Sequence, residues 1–348
     1  MSKPGLKFIF FGLVLFIAVF CRKTNISDWP SYTTANTSKG LAGNNINAIA
    51  IDSINNKWVG TNYGVNKFDG THWTTYNTQN GLVNNIVHAI KIDASGNIWV
   101  GTSGGLSEFN GTSWISYVDT INLHEINIIY KHSSKNDSTK YSEPYLKTEN
   151  LCIYAIDFDN SGNIWVATNV GVSEFKNSQW TNYLDTVSGD TLRSYSIAVD
   201  ASNTKWIGTT FGVAIANYPI ADTIQNFLTK TNGLINNAVS CISIDKKTGN
   251  KWFGTVGGVS EYTGKLWFNY SDSNGLVSNW VPTIAFDSQG NKWFGTGGGI
   301  SRYNGVNWTT YTTDNGLISS LVNAIAFDKQ GNAWVGTTQG ITKILAQN

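Results

Sequence analysis

Short apolar runs alternate with polar turns along most of the chain, and their length is typical of β-strands. Between residues 87 and 117 the runs are Val87–Ile92, Ile98–Thr102, Leu106–Phe109 and Trp114–Tyr117, separated by "DASGN", "SGG" and "NGTS". Gly, Asn, Asp and Ser are the residues that tight turns favour. This stretch therefore predicts four consecutive antiparallel strands, which we label A to D.

The same pattern recurs in seven units, each marked by Trp-x-Gly-Thr or, once, Trp-x-Ala-Thr in strand B. These motifs begin at Trp58, Trp99, Trp165, Trp206, Trp252, Trp293 and Trp334. They are 41 residues apart, except where 25 and 5 extra residues lengthen two intervals to 66 and 46. Four strands in about 40 residues form one blade of a β-propeller. We predict an all-β, seven-bladed propeller of four-stranded antiparallel blades over residues 29–348.

A second motif, Trp-x-x-Tyr, marks strand D. It begins at Trp29, Trp73, Trp114, Trp180, Trp267 and Trp308, with Phe227 in the tryptophan position of the remaining unit. The last unit lacks a strand D of its own, whereas one copy of the motif precedes the first complete unit. We therefore expect N-terminal strand 29–34 to pair with C-terminal strands 322–345, which removes an exposed sheet edge. The periodic tryptophans belong to the core.

Residues 1–21 have the profile of a secretory signal. Lys3 and Lys7 precede the apolar run Phe8–Phe20, which ends at Cys21. The run is shorter than the roughly 20 residues that span a bilayer. It resembles a bacterial lipoprotein signal, which implies lipidation of Cys21. Phe20 replaces the small residue of that pattern, so an uncleaved membrane anchor is the alternative. Either way, residues 22–28 form a linker to an extracytoplasmic propeller, periplasmic or anchored at the outer membrane.

The repeat resembles that of the two-component regulator propeller family. Residues 275–305 read "GLVSNWVPTIAFDSQGNKWFGTGGGISRYNG", with the family's Asn-Gly-Leu loop, Ile-x-x-Asp strand and Gly-Thr and Gly-Gly turns. The resemblance extends over 29–345. It implies an extracytoplasmic sensor module of the kind found in hybrid histidine kinases, often linked to carbohydrate sensing. The chain ends three residues after its last predicted strand, so we expect signalling to require a separate partner.

Charge and motif content exclude several functions. The formal net charge is +1, only 14% of residues are charged, and no basic run exceeds Arg22-Lys23, so we expect no nucleic-acid partner. The four histidines lack metal-site spacing, and no nucleophile elbow occurs. We expect a non-enzymatic monomer without cofactor or metal. Cys152 and Cys241 lie in apolar segments of non-adjacent blades, which predicts two unpaired, buried cysteines.

Ligand-binding residues are expected on the face where the D-to-A and B-to-C connections emerge, here called the D-to-A face. The longest connection, 118–150, lies there and is either a lid or an insertion without a role. Seven variable residues, five positions before the aspartate that ends each strand A, also lie there. They are Asn47, His88, Tyr154, Tyr195, Ser240, Pro282 and Asn323. Such variation at the mouth of a repetitive scaffold indicates a site tuned to one ligand; a polar rim that contacts only water is the alternative.

Three aromatic residues add to this face. Trp280 stands outside both tryptophan motifs, at the entry to a strand A, while Tyr63 and Phe211 lie in B-to-C turns. We predict a small-molecule, glycan or protein ligand, bound by eight residues. These are His88, Tyr154, Tyr195, Trp280, Tyr63, Phe211, Asn47 and Asn323.

Charged residues near the channel support two further expectations. Lys91 and Asp157 occupy the same strand position in neighbouring units, which predicts an ion pair. The aspartates that end each strand A are expected to cap turns. The alternative function is a metal-dependent enzyme resembling virginiamycin B lyase, with His88 and Asp157 at the channel mouth.

Overall fold

A computed structural model describes residues 29–346 except 39, 119, 122–148, 184–185, 188–189, 192 and 217–225. The predicted signal or anchor 1–21, the lipidation site Cys21, the linker 22–28 and most of the connection 118–150 lie outside the described residues.

Seven four-stranded antiparallel sheets form a closed ring, as the repeat predicts. The A strands are Ile46–Ile51, Val87–Ile92, Ile153–Phe158, Ser194–Val199, Val239–Ile244, Thr283–Phe286 and Val322–Phe327. The B strands are Lys57–Thr61, Ile98–Thr102, Ile164–Thr168, Lys205–Thr209, Lys251–Thr255, Lys292–Thr296 and Ala333–Thr337. Each strand A contacts strand A of the next blade, and the seventh contacts the first.

The C and D strands complete the blades outward. The C strands are Gly64–Phe68, Gly105–Phe109, Gly171–Lys176, Gly212–Ala216, Gly258–Tyr262, Gly299–Tyr303 and Gly340–Ile344. The D strands of blades 1 to 6 are Trp73–Tyr76, Trp114–Tyr117, Gln179–Tyr183, Asn226–Leu228, Trp267–Tyr270 and Trp308–Tyr311.

Short elements occupy the connections on the D-to-A face. The pairs Thr120–Ile121 with Glu149–Asn150, and Thr186–Val187 with Asp190–Thr191, form two-stranded ribbons. Among the described residues, four connections contain 3-10 turns, at Thr78–Asn80, Lys230–Asn232, Asp272–Asn274 and Thr313–Asn315.

The N-terminal strand closes the seventh blade, as predicted, but it is shorter than 29–34. Only Ser31–Tyr32 is paired, with Tyr32 opposite Ile341. Pro30 has no N–H to donate and contributes only its carbonyl, which accepts a hydrogen bond from Lys343 N at 2.8 Å. A turn follows from residue 34. The ring is therefore closed by two paired residues and by the side chains around them.

The Trp-x-Gly-Thr motif is structural, and each of its residues has a separate role. All seven tryptophans are buried. In six blades the indole Nε1 donates to the aspartate that ends strand A, for example Trp334 to Asp328 Oδ2 at 2.9 Å. In every blade the threonine hydroxyl donates across the B-to-C turn, as Thr337 does to Gly340 O. Gly340 has a φ of 133°, a backbone conformation that residues other than glycine rarely adopt.

The strand-ending aspartates cap turns, as predicted, and also bind the tryptophans. Asp328 accepts the backbone N–H groups of Gln330 and Asn332. Burial raises its pKa, but the hydrogen bonds from Asn332 and Trp334 outweigh burial and lower it. Blade 5 is an exception because seven residues rather than six separate Asp245 from Trp252. Within the described chain, Trp252 Nε1 has no hydrogen-bond partner.

The motif glycine lets the next blade approach closely. A Cβ on Gly101 would lie 2.6 Å from Cγ2 of Ile153 in the following strand A. The third blade has Ala167 in this position, fully buried. Its counterpart in the next blade is Ser194, where the other blades carry Val or Ile. The methyl group of Ala167 is therefore matched by the small side chain of Ser194 in place of a branched one.

We expect Gly101→Ala to destabilise the protein by about 1–3 kcal/mol through overpacking. Combining it with Ile153→Ser reproduces the Ala167 and Ser194 pair. The two changes should then show a favourable coupling of at least about 1 kcal/mol in a double-mutant cycle of urea unfolding. Strictly additive effects would show that this contact does not set the blade spacing.

Candidate functional site

A β-bulge in strand A presents one residue per blade at the channel mouth on the D-to-A face. In blade 2 the register passes from Val87 opposite Thr102 to Ala89 opposite Gly101, which leaves His88 unpaired. The same shift occurs in blades 1, 3, 4, 5 and 7. Bulges re-aim a side chain and are frequent near functional sites. Blade 6 has Pro282 here, immediately before its strand A, and proline needs no ladder partner.

Four of the predicted ligand residues converge on one cavity of about 470 Å³, here called the mouth cavity. It is lined by His88, Tyr154, Tyr195 and Trp280, together with the bulge residue Ser240 and with Pro282. The Tyr154 ring lies 5.3 Å from the His88 ring and 5.9 Å from the Tyr195 ring, between centroids. The Trp280 side chain is 43% exposed. A volume of roughly 300–1,000 Å³ is usual for small-molecule sites.

His88 is held in a small polar cluster at the edge of the cavity. Its Nε2 lies 2.8 Å from Ser103 Oγ and 3.5 Å from Cys152 Sγ. Burial lowers the pKa of His88, so the imidazole is neutral at pH 7. The prediction of two unpaired cysteines is confirmed. Both cysteines, however, are only partly buried. Cys152 also contacts the predicted site, because it lies directly before strand A of blade 3 at the channel mouth.

Tyr154 and Arg193 form the polar side of the same cluster. Burial raises the pKa of Tyr154 to about 12, and a hydrogen bond with Cys152 adds to the rise. The positive charge of Arg193 acts in the opposite direction. Arg193 directly precedes the strand that carries Tyr195 and is exposed. Arg193 is not one of the ligand residues predicted from the sequence.

The other four predicted ligand residues lie outside the cavity lining. Tyr63 and Phe211 are 65% and 43% exposed on the D-to-A face, on blades 1 and 4. Asn47 and Asn323 are bulge residues whose amides bind the next blade. Asn47 Nδ2 donates to Val87 O at 2.7 Å, and Asn323 Nδ2 donates to Ile46 O at 3.0 Å. These contacts give both asparagines a role in joining blades.

Sequence reasoning missed several apolar lining residues. Ala238, Val239 and Val256 line the mouth cavity beside Thr210. Val256 is 48% exposed in a B-to-C turn, a place where most blades have small or polar residues. An apolar residue in this turn was the feature of the sequence that could have identified Val256 as a lining residue.

Lys91 and Asp157 form an ion pair at the opposite end of the channel. Lys91 Nζ lies 2.9 Å from Asp157 Oδ1, and Asp157 Oδ2 accepts the Val199 N–H of the following blade. The Lys91 side chain is 45% exposed, so the pair is not fully buried. It lines a separate cavity of about 790 Å³ near the A-to-B turns.

His88 and Asp157 therefore do not share a site, contrary to the enzyme alternative. Asp157 is three strand residues beyond Tyr154, roughly 10 Å along the strand. Over the described ranges, no three His, Cys, Asp or Glu side chains are grouped as metal ligands.

No helix in the described chain is long and apolar enough to cross a membrane.

Comparison with known proteins relates the fold of this chain to that of other propellers. The family described as two component regulator propeller matches residues 81–104 and 316–339. No curated protein matches significantly. Among solved structures, the extracellular domain assigned to hybrid two component system BT3049 of B. thetaiotaomicron has a TM-score of 0.74 at 21% identity. The match covers 92% of this chain but only 41% of that domain.

Two other similar structures have different functions. Virginiamycin B lyase of Staphylococcus aureus, solved as an inactive variant with quinupristin, has a TM-score of 0.67 at 13% identity, covering 91% and 99% of the two chains. PorZ, a surface component of the type-IX secretion system of Porphyromonas gingivalis, has a TM-score of 0.63 at 17% identity, covering 86% and 46%. At these identities the likeness establishes the fold alone.

The repeats matched by the family recur in all seven blades of the ring. The chain is a seven-bladed β-propeller, and two of its repeats match the two component regulator propeller family.

Proposed function

We propose that this chain is an extracytoplasmic propeller that binds a ligand at the mouth cavity and serves in sensing. The observation that carries the proposal is the convergence of His88, Tyr154, Tyr195 and Trp280 on one cavity. The rest of the ring is built from repeated, buried structural contacts. Aromatic rings at a concave site on a rigid scaffold are typical of ligand recognition.

The family resemblance and the apolar N-terminal segment support the location and the role. Sensor propellers of two component systems are extracellular, as the B. thetaiotaomicron domain is described. The ligand is a small molecule, a glycan or a segment of a protein. Transmission of the signal depends on a further partner, and the N-terminus anchors the chain to the cell envelope.

The test is a binding screen followed by calorimetry on mouth variants. Neutral oligosaccharides, short peptides and aromatic acids are screened by thermal shift, and the Kd of each binder is measured. Tyr195→Ala and Trp280→Ala should each weaken binding at least about tenfold, which corresponds to about 1.4 kcal/mol. Phe268→Ala is the matched control, because Phe268 is 44% exposed on an outer strand of blade 5. Unchanged affinity in both mouth variants would show that binding occurs elsewhere.

A further inference from the structure

The inner positions of the channel mouth contain almost no charge. Each blade contributes four: the bulge residue, the residue two before it, and the two residues after Trp-x-Gly-Thr or Trp-x-Ala-Thr. The seven blades together contribute 28 such positions. Among the residues that occupy them, Arg193 alone is charged at neutral pH. His88 is the other titratable base, and burial keeps it neutral. No carboxylate occupies any of these positions.

Arg193 does not itself line the mouth cavity but lies two residues before Tyr195, which does. It occupies the strand-entry position that Ala238 and Trp280 hold in the next two blades, and both of those residues line the cavity. Its charge acts on the Tyr154 hydroxyl, and its exposed side chain forms no ion pair within the described chain.

In the described parts of the connections, the other charged residues belong to the 3-10 turns or to the ribbons. Lys230, Asp272 and Asp314 belong to the 3-10 turns that follow outer D strands. Glu149 and Asp190 belong to the two ribbons. The inner mouth therefore favours a negative ligand group near Arg193 over a positive one.

The cavity wall is better suited to an aromatic ring than to a sugar. Tyr154, Tyr195 and Trp280 offer ring faces or edges, and Val239, Val256 and Pro282 are apolar. Hydroxyl groups in the lining come from Thr209, Thr210 and Ser240 and from the two tyrosines. Thr209 Oγ1 is already hydrogen-bonded to Gly212 O and Phe211 N. Sugar hydroxyl groups that lose water need hydrogen-bond partners, and an unpaired one costs about 1–3 kcal/mol. A flat ring with a single charged group has fewer polar groups to satisfy.

We infer that the mouth cavity binds an aromatic carboxylate. Its ring packs against Tyr154, Tyr195 and Trp280, and its carboxylate binds the Arg193 guanidinium. Guanidinium and carboxylate form paired, charge-assisted hydrogen bonds. This inference rests on the proposed function and narrows its ligand class.

The test compares aromatic acids with their neutral amides by calorimetry. Indole-3-acetate and phenylacetate are titrated into the wild-type protein beside indole-3-acetamide and phenylacetamide, which keep the ring and lose the charge. Each acid should bind at least about tenfold more tightly than its amide. Arg193→Gln should remove that difference and leave amide binding unchanged. The matched control Lys230→Gln, which removes a positive charge from an outer 3-10 turn, should preserve it.

The outcomes separate this inference from the proposed function. Equal affinity for acid and amide, a preference that survives Arg193→Gln, or no binding of either acid at millimolar concentration would overturn the inference. Tyr195-dependent binding of a neutral oligosaccharide in that case would leave the proposed function standing. If Tyr195→Ala and Trp280→Ala change the affinity of no binder, the proposed function itself fails.

Discussion

Replacing Trp334 by alanine should lower the free energy of unfolding by about 3–5 kcal/mol, the usual cost of removing a buried aromatic side chain. Trp334 is 1% exposed and stacks on Tyr32 at a ring distance of 5.3 Å. It also packs on Phe68 of blade 1, while Lys57 lies over its ring at 5.0 Å. The substitution removes contacts that join the last blade to the first, and it leaves Asp328 without its indole donor.

Urea unfolding followed by circular dichroism measures this loss. Trp280→Ala is the control, because that side chain is 43% exposed and donates no hydrogen bond from its indole within the described chain. Its effect should be smaller, at most about 2 kcal/mol, because only part of the side chain is buried. A loss below about 1 kcal/mol for Trp334→Ala would mean that the tryptophans do not hold the blades together.

Removing the N-terminal closing strand should destabilise the ring and cause self-association. A chain that begins at Ala35 lacks Trp29 and Tyr32, whose rings pack on Tyr311 and Trp334. The expected loss is at least about 3 kcal/mol, because two large aromatic contacts disappear. The strand Gly340–Ile344 then becomes an unpaired edge, which can template pairing with another chain.

The matched control is a chain that begins at Trp29 and retains the strand. Thermal unfolding and size-exclusion chromatography at several concentrations compare the two. The shorter chain should unfold at a lower temperature and form larger species as concentration rises. If both chains behave alike, the ring does not depend on its N-terminal strand.

Much of the fold follows from the sequence because one pattern is repeated seven times. The predicted strands of blade 2 agree with the structure, apart from one additional residue at Gly105. Repetition also identified the missing strand D and hence the ring closure. The number of paired residues in the N-terminal strand could not be derived from the sequence. Pro30 ends the pairing on one side of Ser31–Tyr32, and the turn after Tyr32 ends it on the other.

The bulge and the indole hydrogen bonds were harder to predict. The bulge shifts the apolar alternation of strand A by one residue, so that Val87 and Ile90 are buried three positions apart. A single shift within six residues is difficult to recognise from the sequence. The hydrogen bond from tryptophan to aspartate requires that the two residues be six positions apart. Blade 5, where they are seven positions apart, lacks this hydrogen bond, and only that comparison shows that the spacing matters.

The candidate site was predictable as a set of positions but not as a set of contacts. Counting back from the aspartates identified His88, Tyr154 and Tyr195, which do line one cavity. The same count gave Asn47 and Asn323, whose amides bind neighbouring backbone carbonyls. An asparagine can bind either a ligand or the next blade, and only the three-dimensional arrangement decides between them.

The central claim is that the mouth cavity is the ligand site, and fluorine NMR of protein labelled with 5-fluorotryptophan tests it most directly. Trp280→Phe assigns the Trp280 resonance, and each compound that binds in the screen is titrated into the wild-type protein. The Trp280 resonance should shift in proportion to occupancy, while those of buried Trp165 and Trp334 stay in place. Saturation with a bound compound that leaves Trp280 unmoved would contradict the claim.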